Sequence, residues 1–306
     1  MLGDIDAFSC EHLRTAWARV RKGGKATGID GQTLEGFDYS LDRHLGILSK
    51  DLRAQTYRPL PARRVYVDKC GGGRRPLDIS TVRDRVAHRA LLDILAPLAE
   101  QKLTDVAHAY RPGRSIRMAV DRVRSYYLAG HRNVVRIDVK NCFPTISQDL
   151  ALRSLRACGV PSAMVRLCDL ILTAGTEVNG VFAPTREGLS QGNAISPLLC
   201  NIVLDSVDRT AGASAIRYAD DFVSACPTPK DADRMRNGII HGLDRLGLEA
   251  NPEKSGIANF QSGFRFLGTD FVSGLAIPTI KTRLPNGNIV YRSGYEGKSP
   301  DQSIVV

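Results

Sequence analysis

Two adjacent acidic residues, Asp220 and Asp221, lie in the middle of the run AIRYADDFVS at residues 215–224. Apolar residues flank the pair on both sides, and Tyr, Ile, Phe and Val favour extended structure, so the run predicts two short strands with the carboxylates at their turn. Adjacent carboxylates repel each other unless cations lie between them, which makes a divalent-metal site the functional interpretation. Asp is also common in ordinary solvated turns.

A third acid favours the metal site. Asp138 ends the β-rich run VVRID at residues 134–138, which would bring its carboxylate to the end of a neighbouring strand. Three carboxylates on adjacent strand ends can hold two Mg²⁺ ions, an arrangement that stabilises the attacking and leaving oxygens in phosphoryl transfer. The sequence therefore predicts a phosphoryl-transfer centre formed by Asp138, Asp220 and Asp221, with Mn²⁺ as an alternative ion.

These acids belong to a longer ordered set of motifs. Phe143 follows Asp138 by five positions, SQGNAISP occupies residues 190–197, and YADD occupies residues 218–221. The order and content of these strings resemble the core of bacterial reverse transcriptases of the group II intron-like type. The resemblance covers residues 27–271. It implies an α+β right-hand polymerase with fingers, a ferredoxin-like palm and a minimal or absent thumb, which copies RNA into DNA with two Mg²⁺ ions.

The same resemblance implies a division of the chain. We expect an N-terminal extension at 1–56, fingers at 57–132, a palm at 133–271 in which 148–189 partly belong to the fingers, and a short tail or vestigial thumb at 272–306. Pro278, Pro285 and Gly287 are expected to break regular structure in this last segment. A full helical thumb does not fit there. No zinc endonuclease pattern and no RNase H segment is recognisable, so a complete mobile-intron protein is not expected.

Candidate nucleotide contacts follow from the resemblance. Residues 58–79 read as a hairpin with a glycine-rich turn, and cations on such a hairpin can grip phosphate oxygens. Phe143 is the expected gate that collides with a 2′-hydroxyl and selects deoxynucleotides. Lys254 is either a general acid toward the pyrophosphate leaving group or a solvated turn lysine. The full set of predicted nucleotide contacts is Lys69, Arg75, Phe143, Gln191, Gly192 and Lys254.

Template and primer contacts are predicted in the same way. The segment RPGRS at 111–115 resembles one that lies along the template path, and the run 264–271 resembles the hairpin that holds the primer 3′ end. The alternating aromatic residues of 264–271 also fit an ordinary half-buried strand. The predicted contacts are Arg63, Arg111, Arg114, Tyr218, Phe266, Leu267 and Gly268.

Composition supports a polyanion-binding protein. The 306 residues carry a net charge of +10, and residues 51–130 hold 16 Lys and Arg against 8 Asp and Glu. Such a concentration of positive charge predicts a nucleic-acid-binding face and salt-sensitive binding. The seven cysteines lack zinc-ligand spacing and indicate reduced thiols. No apolar run reaches membrane-spanning length and no signal-peptide pattern occurs, so we expect a cytoplasmic protein without a membrane partner.

The expected partners are an RNA template, deoxynucleoside triphosphates and a DNA product. A short thumb would leave template clamping to a dedicated structured noncoding RNA or to other copies of the chain. Compact enzymes of this type resemble bacterial antiphage defence reverse transcriptases. The alternatives are a non-catalytic RNA-binding, maturase-like protein, a CRISPR-adaptation or intron-derived enzyme, and template-independent or RNA-templated RNA synthesis.

Overall fold

The computed structural model describes residues 5–68, 73–185, 187–283 and 289–293. Its α-helices, numbered in chain order, are α1 Cys10–Val20, α2 Leu34–Tyr39, α3 Leu41–Arg53, α4 Val82–Glu100, α5 Ile116–Leu128, α6 Cys142–Thr145, α7 Gln148–Ala157, α8 Ser162–Leu172, α9 Ser196–Ala211 and α10 Pro229–Asp244. A short 3₁₀ helix, Ile5–Phe8, precedes them. None of the helices in these ranges is both long and apolar enough to cross a membrane.

The strands form separate sheets. In chain order they are β1 Ala62–Asp68, β2 Arg74–Ile79, β3 Asn133–Asp138, β4 Thr176–Val178, β5 Val181–Ala183, β6 Ala215–Tyr218, β7 Asp221–Cys226, β8 Gly256–Asn259, β9 Phe264–Phe266, β10 Thr269–Val272, β11 Leu275–Arg283 and β12 Ile289–Ser293. The sheet orders are β2-β1-β4-β5, β6-β7-β3-β8 and β12-β11-β10-β9.

The chain divides into two compact units, each formed by two separate stretches of sequence. The first contains Met1–Leu103 and Asn141–Asp205, and the second contains Thr104–Lys140 and Ser206–Val306. In the first unit, α1 packs against α3 and α4, and the sheet β2-β1-β4-β5 is antiparallel except where β1 runs parallel to β4.

In the second unit, the sheet β6-β7-β3-β8 is antiparallel throughout. Helices α5 and α10 both pack against it. The core between α5 and the strands contains the buried residues Ala119, Val123, Phe260, Phe264 and Phe271. Because α5 places small residues against large aromatic rings, the helix can approach the sheet closely.

Side-chain caps explain where two of the helices begin. Ser115 accepts a hydrogen bond from the backbone N–H of Met118 and caps α5, and Thr81 accepts one from that of Asp84 and caps α4. Helix α9 begins at Ser196, three residues after Asn193. The Asn193 Oδ1 accepts from the Ile195 N–H and closes an Asx turn, which delays the helix.

The segment after residue 271 differs from the expectation of broken structure. Strand β11 runs through Pro278, which pairs with Thr269 of β10. From Thr279 onward β11 pairs with β12 instead. Pro278 therefore lies at the end of the ladder with β10, where its missing N–H does little harm. Pro285 and Gly287 lie outside the described residues.

His88 is a buried core histidine of α4. Its side chain is 4% exposed, and burial lowers its pKa to about 4. The imidazole is therefore neutral at physiological pH and contributes packing to α4.

Candidate active site

The acidic pair lies at the turn between β6 and β7. Tyr218 pairs with Asp221 across this hairpin, and Ala219 occupies the left-handed region with φ of 59°. The turn between the paired residues is thus only Ala219 and Asp220. Both aspartates are partly buried. The predicted strand–turn–strand arrangement is confirmed.

Strand β3 brings Asp138 to the same end of the sheet. Asp138 and Asp221 are direct partners in the antiparallel register of β3 and β7. Directly opposite residues place their Cβ atoms roughly 4.5–5.5 Å apart on one face. The Val139 N–H also donates to the Asp220 carbonyl at 3.0 Å. All three predicted carboxylates therefore lie in one unit, at one end of one sheet.

The loop at 251–255 holds Asp138 from the other side. The Asn251 side-chain amide donates to Asp138 Oδ1 at 3.2 Å, and the Lys254 ammonium lies 3.5 Å from Oδ2. The backbone of Asp138 accepts from the Asn251 N–H at 2.7 Å and donates to the Ser255 hydroxyl at 3.1 Å. The loop therefore fixes both the main chain and the carboxylate of Asp138.

The Lys254 ammonium therefore contacts the Asp138 carboxylate in this structure. Its side chain is 63% exposed, so it is also accessible to a ligand. Asn251 was not among the predicted site residues. A signal for it was present, since Asn before Pro marks a turn and the Asn251 Oδ1 accepts from the Glu253 N–H.

The ionised forms of the Asp220 and Asp221 carboxylates are destabilised when no cation is bound nearby. Burial raises the pKa of Asp220, and the charge of Asp138 raises it further. Burial raises the pKa of Asp221 to about 6, with added contributions from Asp138 and Asp220. Both carboxylates thus bind protons more tightly than an exposed aspartate does. A bound cation would relieve the same repulsion.

The chemistry of these side chains fits a hard divalent cation. Carboxylate oxygens are the ligands that Mg²⁺ and Mn²⁺ prefer. Within the described ranges, no three His, Cys, Asp or Glu side chains already form a group that could hold a metal ion. The Asp138 oxygens instead contact Asn251 and Lys254. A cation would compete with the Lys254 ammonium for the Asp138 carboxylate, whereas the Asn251 hydrogen bond can remain because each carboxylate oxygen has two acceptor sites.

Two of the predicted nucleotide contacts, Gln191 and Gly192, lie beside Asp78 in the first unit. Arg64 donates a two-pronged pair of hydrogen bonds to the Asp78 carboxylate at 2.7 and 3.0 Å. The Ser190 hydroxyl donates to the same carboxylate at 2.7 Å, and the Asp78 N–H donates to the Gln191 carbonyl at 2.7 Å. Asp78 is 3% exposed. It therefore fastens the loop at 190–192 to β2.

Gly192 and Phe143 lie in this first unit as well. Gly192 has φ of +114°, and a Cβ there would fall far inside contact distance of the Asp78 carbonyl oxygen. The Leu189 N–H donates to the Phe143 carbonyl at 2.7 Å, and the Phe143 side chain is partly buried. Arg75 is exposed on β2. Lys69 lies outside the described residues.

Residues 67–271 match the family described as "Reverse transcriptase (RNA-dependent DNA polymerase)". The chain belongs to the reverse transcriptase family. Protein YkfC of Escherichia coli (strain K12) is 30% identical over 291 residues, covering 81% of this chain and 76% of YkfC. The group II intron-encoded protein LtrA of Lactococcus lactis subsp. cremoris is 32% identical over 189 residues, covering 61% of this chain and 31% of LtrA.

A solved structure shows the same fold at low sequence identity. The telomerase of Candida albicans, in complex with a fragment of telomeric RNA, superposes with a TM-score of 0.58 at 12% identity. The match covers 79% of this chain and 50% of the telomerase chain. The mixed α and β reverse transcriptase fold predicted from the sequence is therefore confirmed.

Three arginines predicted to contact template in this reverse transcriptase have partners within the chain. Arg63 donates twice to the Thr27 carbonyl, at 2.7 and 3.0 Å. Arg111 is 8% exposed and donates to the carbonyls of Thr104 and Ala107. Arg114 forms an ion pair with Asp105 that lowers the pKa of that carboxyl. The Arg111 guanidinium in particular is occupied by hydrogen bonds to backbone carbonyls of its own unit.

The predicted primer hairpin of this reverse transcriptase is formed by β9 and β10. Leu267 and Gly268 connect the strands with φ of 50° and 70°, the left-handed values that two-residue hairpins favour. Phe266 is 2% exposed. Tyr218 packs against the same core. Phe266 therefore anchors the hairpin, and the turn residues remain its candidate primer contacts.

Proposed function

We propose that this reverse transcriptase synthesises DNA on an RNA template by two-metal nucleotidyl transfer. The observation that carries the proposal is the register that places Asp138 opposite Asp221, directly beside Asp220. In the reaction the primer 3′-oxygen forms a bond to the α-phosphorus, and the bond to the pyrophosphate oxygen breaks. Bound Mg²⁺ would supply charge stabilisation for the attacking and leaving oxygens.

The chain's own residues would perform distinct tasks. Asp138, Asp220 and Asp221 would hold the cations, and Asn251 would orient Asp138. Lys254, freed from Asp138 by metal binding, would lie available to steady the pyrophosphate. In the first unit, the loop fastened by Asp78 would present Gln191 and Gly192 to the nucleotide, with Arg75 and Lys69 on the triphosphate.

We assign the units to polymerase subdomains on the same basis. The second unit carries the three acids and the primer hairpin and is proposed to contain the catalytic part of the palm expected at 133–271. The first unit carries the basic β1–β2 hairpin and is proposed to contain the fingers. Residues 1–56 and 272–306 keep the roles that the family resemblance gives them, an extension and a tail or vestigial thumb.

The test is extension of a labelled DNA primer annealed to an RNA template, with Mg²⁺ or Mn²⁺ and deoxynucleotides. The purified protein is expected to add template-directed nucleotides, and an Asp138→Asn variant is expected to add none. A control reaction with the DNA primer but no RNA template distinguishes templated synthesis from terminal addition. Wild-type protein that binds the RNA but never extends the primer would favour the maturase-like alternative.

Replacing Phe143 by Val is expected to relax sugar selection. Removing the ring would open space for a 2′-hydroxyl, and a change of this size in a pocket alters discrimination by roughly 10–100-fold. The measurement is the ratio of kcat/KM for dGTP and GTP on one primer–template. Phe182→Val, which shortens an exposed ring on β5, is the matched control. An unchanged ratio in Phe143→Val would remove Phe143 from the proposed gate.

We further propose that the natural template is a discrete structured noncoding RNA and that the enzyme acts in bacterial antiphage defence. The excess of basic residues between 51 and 130 supports the binding of a large RNA surface. Sequencing nucleic acid that copurifies from the host, with and without deoxynucleotides, tests this. One dominant RNA with matching complementary DNA is expected, and a random RNA population would contradict the proposal.

A further inference from the structure

A fully buried arginine lies two residues before the acidic turn. Arg217 and Asp208 are both 0% exposed. The guanidinium donates from Nε to Asp208 Oδ1 at 2.7 Å and from Nη2 to Oδ2 at 2.6 Å. The two side chains thus form a planar two-pronged pair between β6 and the end of α9, away from water.

Stability alone is a poor explanation for such a pair. Two charges lose their hydration when they are buried, and apolar side chains of similar volume often stabilise a protein equally well or better. A buried ion pair is more informative when its geometry fixes something else. The third hydrogen bond of Arg217 shows what this pair fixes.

Arg217 Nη1 donates to the Ala219 carbonyl at 2.9 Å. Ala219 has φ of 59°, a conformation that a Cβ disfavours because it crowds the following carbonyl. The hydrogen bond therefore holds the peptide group between Ala219 and Asp220 in an otherwise disfavoured orientation. The next peptide group is held by Val139, the residue after β3, because the Val139 N–H donates to the Asp220 carbonyl at 3.0 Å. Both peptide groups of Asp220 are thus fixed.

The backbone of Arg217 is held in place as well. Its N–H donates to the Val106 carbonyl at 2.8 Å, and its carbonyl accepts from the His108 N–H at 2.8 Å. The ring of Phe222 lies 5.7 Å from the guanidinium carbon, measured to the ring centroid. Contacts of both its backbone and its side chain therefore hold Arg217 in a fixed position beside the turn.

We propose that Arg217, with Asp208 as its counter-ion, is a positioning residue that orients the side chains of Asp220 and Asp221. It thereby determines the affinity of the turn for divalent cations. The inference rests on the proposed function for its catalytic consequence only, since cation binding can be measured without any polymerisation.

The main test is the double variant Arg217→Met/Asp208→Leu. Removing both charges leaves neither one buried alone, so the protein is expected to fold. Mn²⁺ binding is measured by electron paramagnetic resonance on the full chain without nucleic acid. Affinity is expected to fall roughly 10–100-fold, as it does when groups that orient metal ligands are removed. Leu243→Ala, at a buried position of α10, is the control for a loss of stability alone and should bind Mn²⁺ normally.

Arg217→Lys is the second variant. It keeps a positive charge beside Asp208, so folding does not depend on removing the counter-ion, but an ammonium cannot supply the fork and the Ala219 bond together. The same loss of Mn²⁺ affinity is expected. Wild-type Mn²⁺ affinity in either folded variant would overturn the inference.

The two proposals fail in different ways. If the wild-type chain binds Mn²⁺ but extends no primer, the proposed function fails and the Mn²⁺ affinities still decide the role of Arg217. If it extends primers, the variants are expected to need more Mg²⁺ for half-maximal rate while their RNA affinity stays at the wild-type value. A fall in RNA affinity equal to the fall in rate would mark Arg217 as a general structural residue and contradict the proposal.

Discussion

An Asp221→Asn variant is expected to lose nearly all primer extension while becoming more stable than the wild-type protein in the absence of metal. The rate should fall roughly 1000-fold, the factor that corresponds to losing about 4 kcal/mol of charge stabilisation at the reacting phosphate. Asn has almost the shape of Asp, so the β3–β7 pairing with Asp138 should persist.

The gain in stability follows from the raised pKa of Asp221, which is about 6 in the folded chain. An unfolded aspartate titrates near 4, so between roughly pH 4 and pH 6 the folded state holds a proton that the unfolded state has released. The stabilisation from this group is therefore complete below about pH 4 and is lost as pH rises through about 6. At pH 7.5 the ionised carboxylate costs roughly 2–3 kcal/mol, which Asn avoids.

Thermal unfolding in a chelator, at several pH values, checks this expectation. The difference in Tm between Asp221→Asn and wild type should grow from pH 4 to pH 7. Adding Mg²⁺ should raise the wild-type Tm and narrow the difference, because the cation binds the folded state. Asp121→Asn, an exposed change in the middle of α5, is the control for the loss of one negative charge. A variant less stable than wild type at pH 7.5 in chelator would contradict the electrostatic account.

The Gly192→Ala variant is expected to be strongly destabilised and inactive. Two costs add at this position: φ of +114°, which alanine rarely adopts, and the collision of its Cβ with the Asp78 carbonyl. Left-handed strain costs about 1–2 kcal/mol and overpacking about 1–3 kcal/mol, so roughly 3 kcal/mol is expected in total. Since the Asp78 N–H bonds to the Gln191 carbonyl, relief of the collision would pull Gln191 from its place.

Gly180→Ala separates the two costs. Gly180 also has a positive φ, of 83°, but no atom lies within 4 Å of its Cβ position. It should show the conformational cost alone and retain primer extension. Chemical denaturation gives both free energies of unfolding, and the rate of primer extension reports the state of the nucleotide pocket. Equal destabilisation of the two variants would mean that the loop at 190–192 moves freely away from β2.

The acidic hairpin was predictable because its signals are local. The alternating β-formers around Asp220 and Asp221 determine two strands and a turn within ten residues, and the structure has this hairpin. Helix α5 begins at a local signal of the same kind, since the Ser115 side chain caps it. The capping and periodicity signals require no knowledge of the rest of the chain.

The roles of several charged residues were not predictable because they depend on distant partners. The sequence predicts Arg111 as a template contact. In the structure its side chain is buried and donates hydrogen bonds to backbone carbonyls of its own unit. The Asp78 cluster joins β2 to Ser190, which lies more than a hundred residues away. In the sequence Arg217 is one of many cations of a basic chain, and only the structure shows that it pairs with Asp208 of α9. The composition of a sequence records a charge but not whether that charge faces water.

The central position of β3 has a consequence for how the chain is made. This strand ends at Asp138, but its neighbour β7 begins at Asp221 and its other neighbour β8 at Gly256. A ribosome adding about 5–20 residues per second needs roughly 4–16 s to synthesise the intervening chain before β7 exists. During that interval the apolar residues of β3 have no sheet to join. The yield of functional enzyme from a cell will therefore depend on what shields this strand during translation, and slower growth at low temperature with abundant chaperone should improve it.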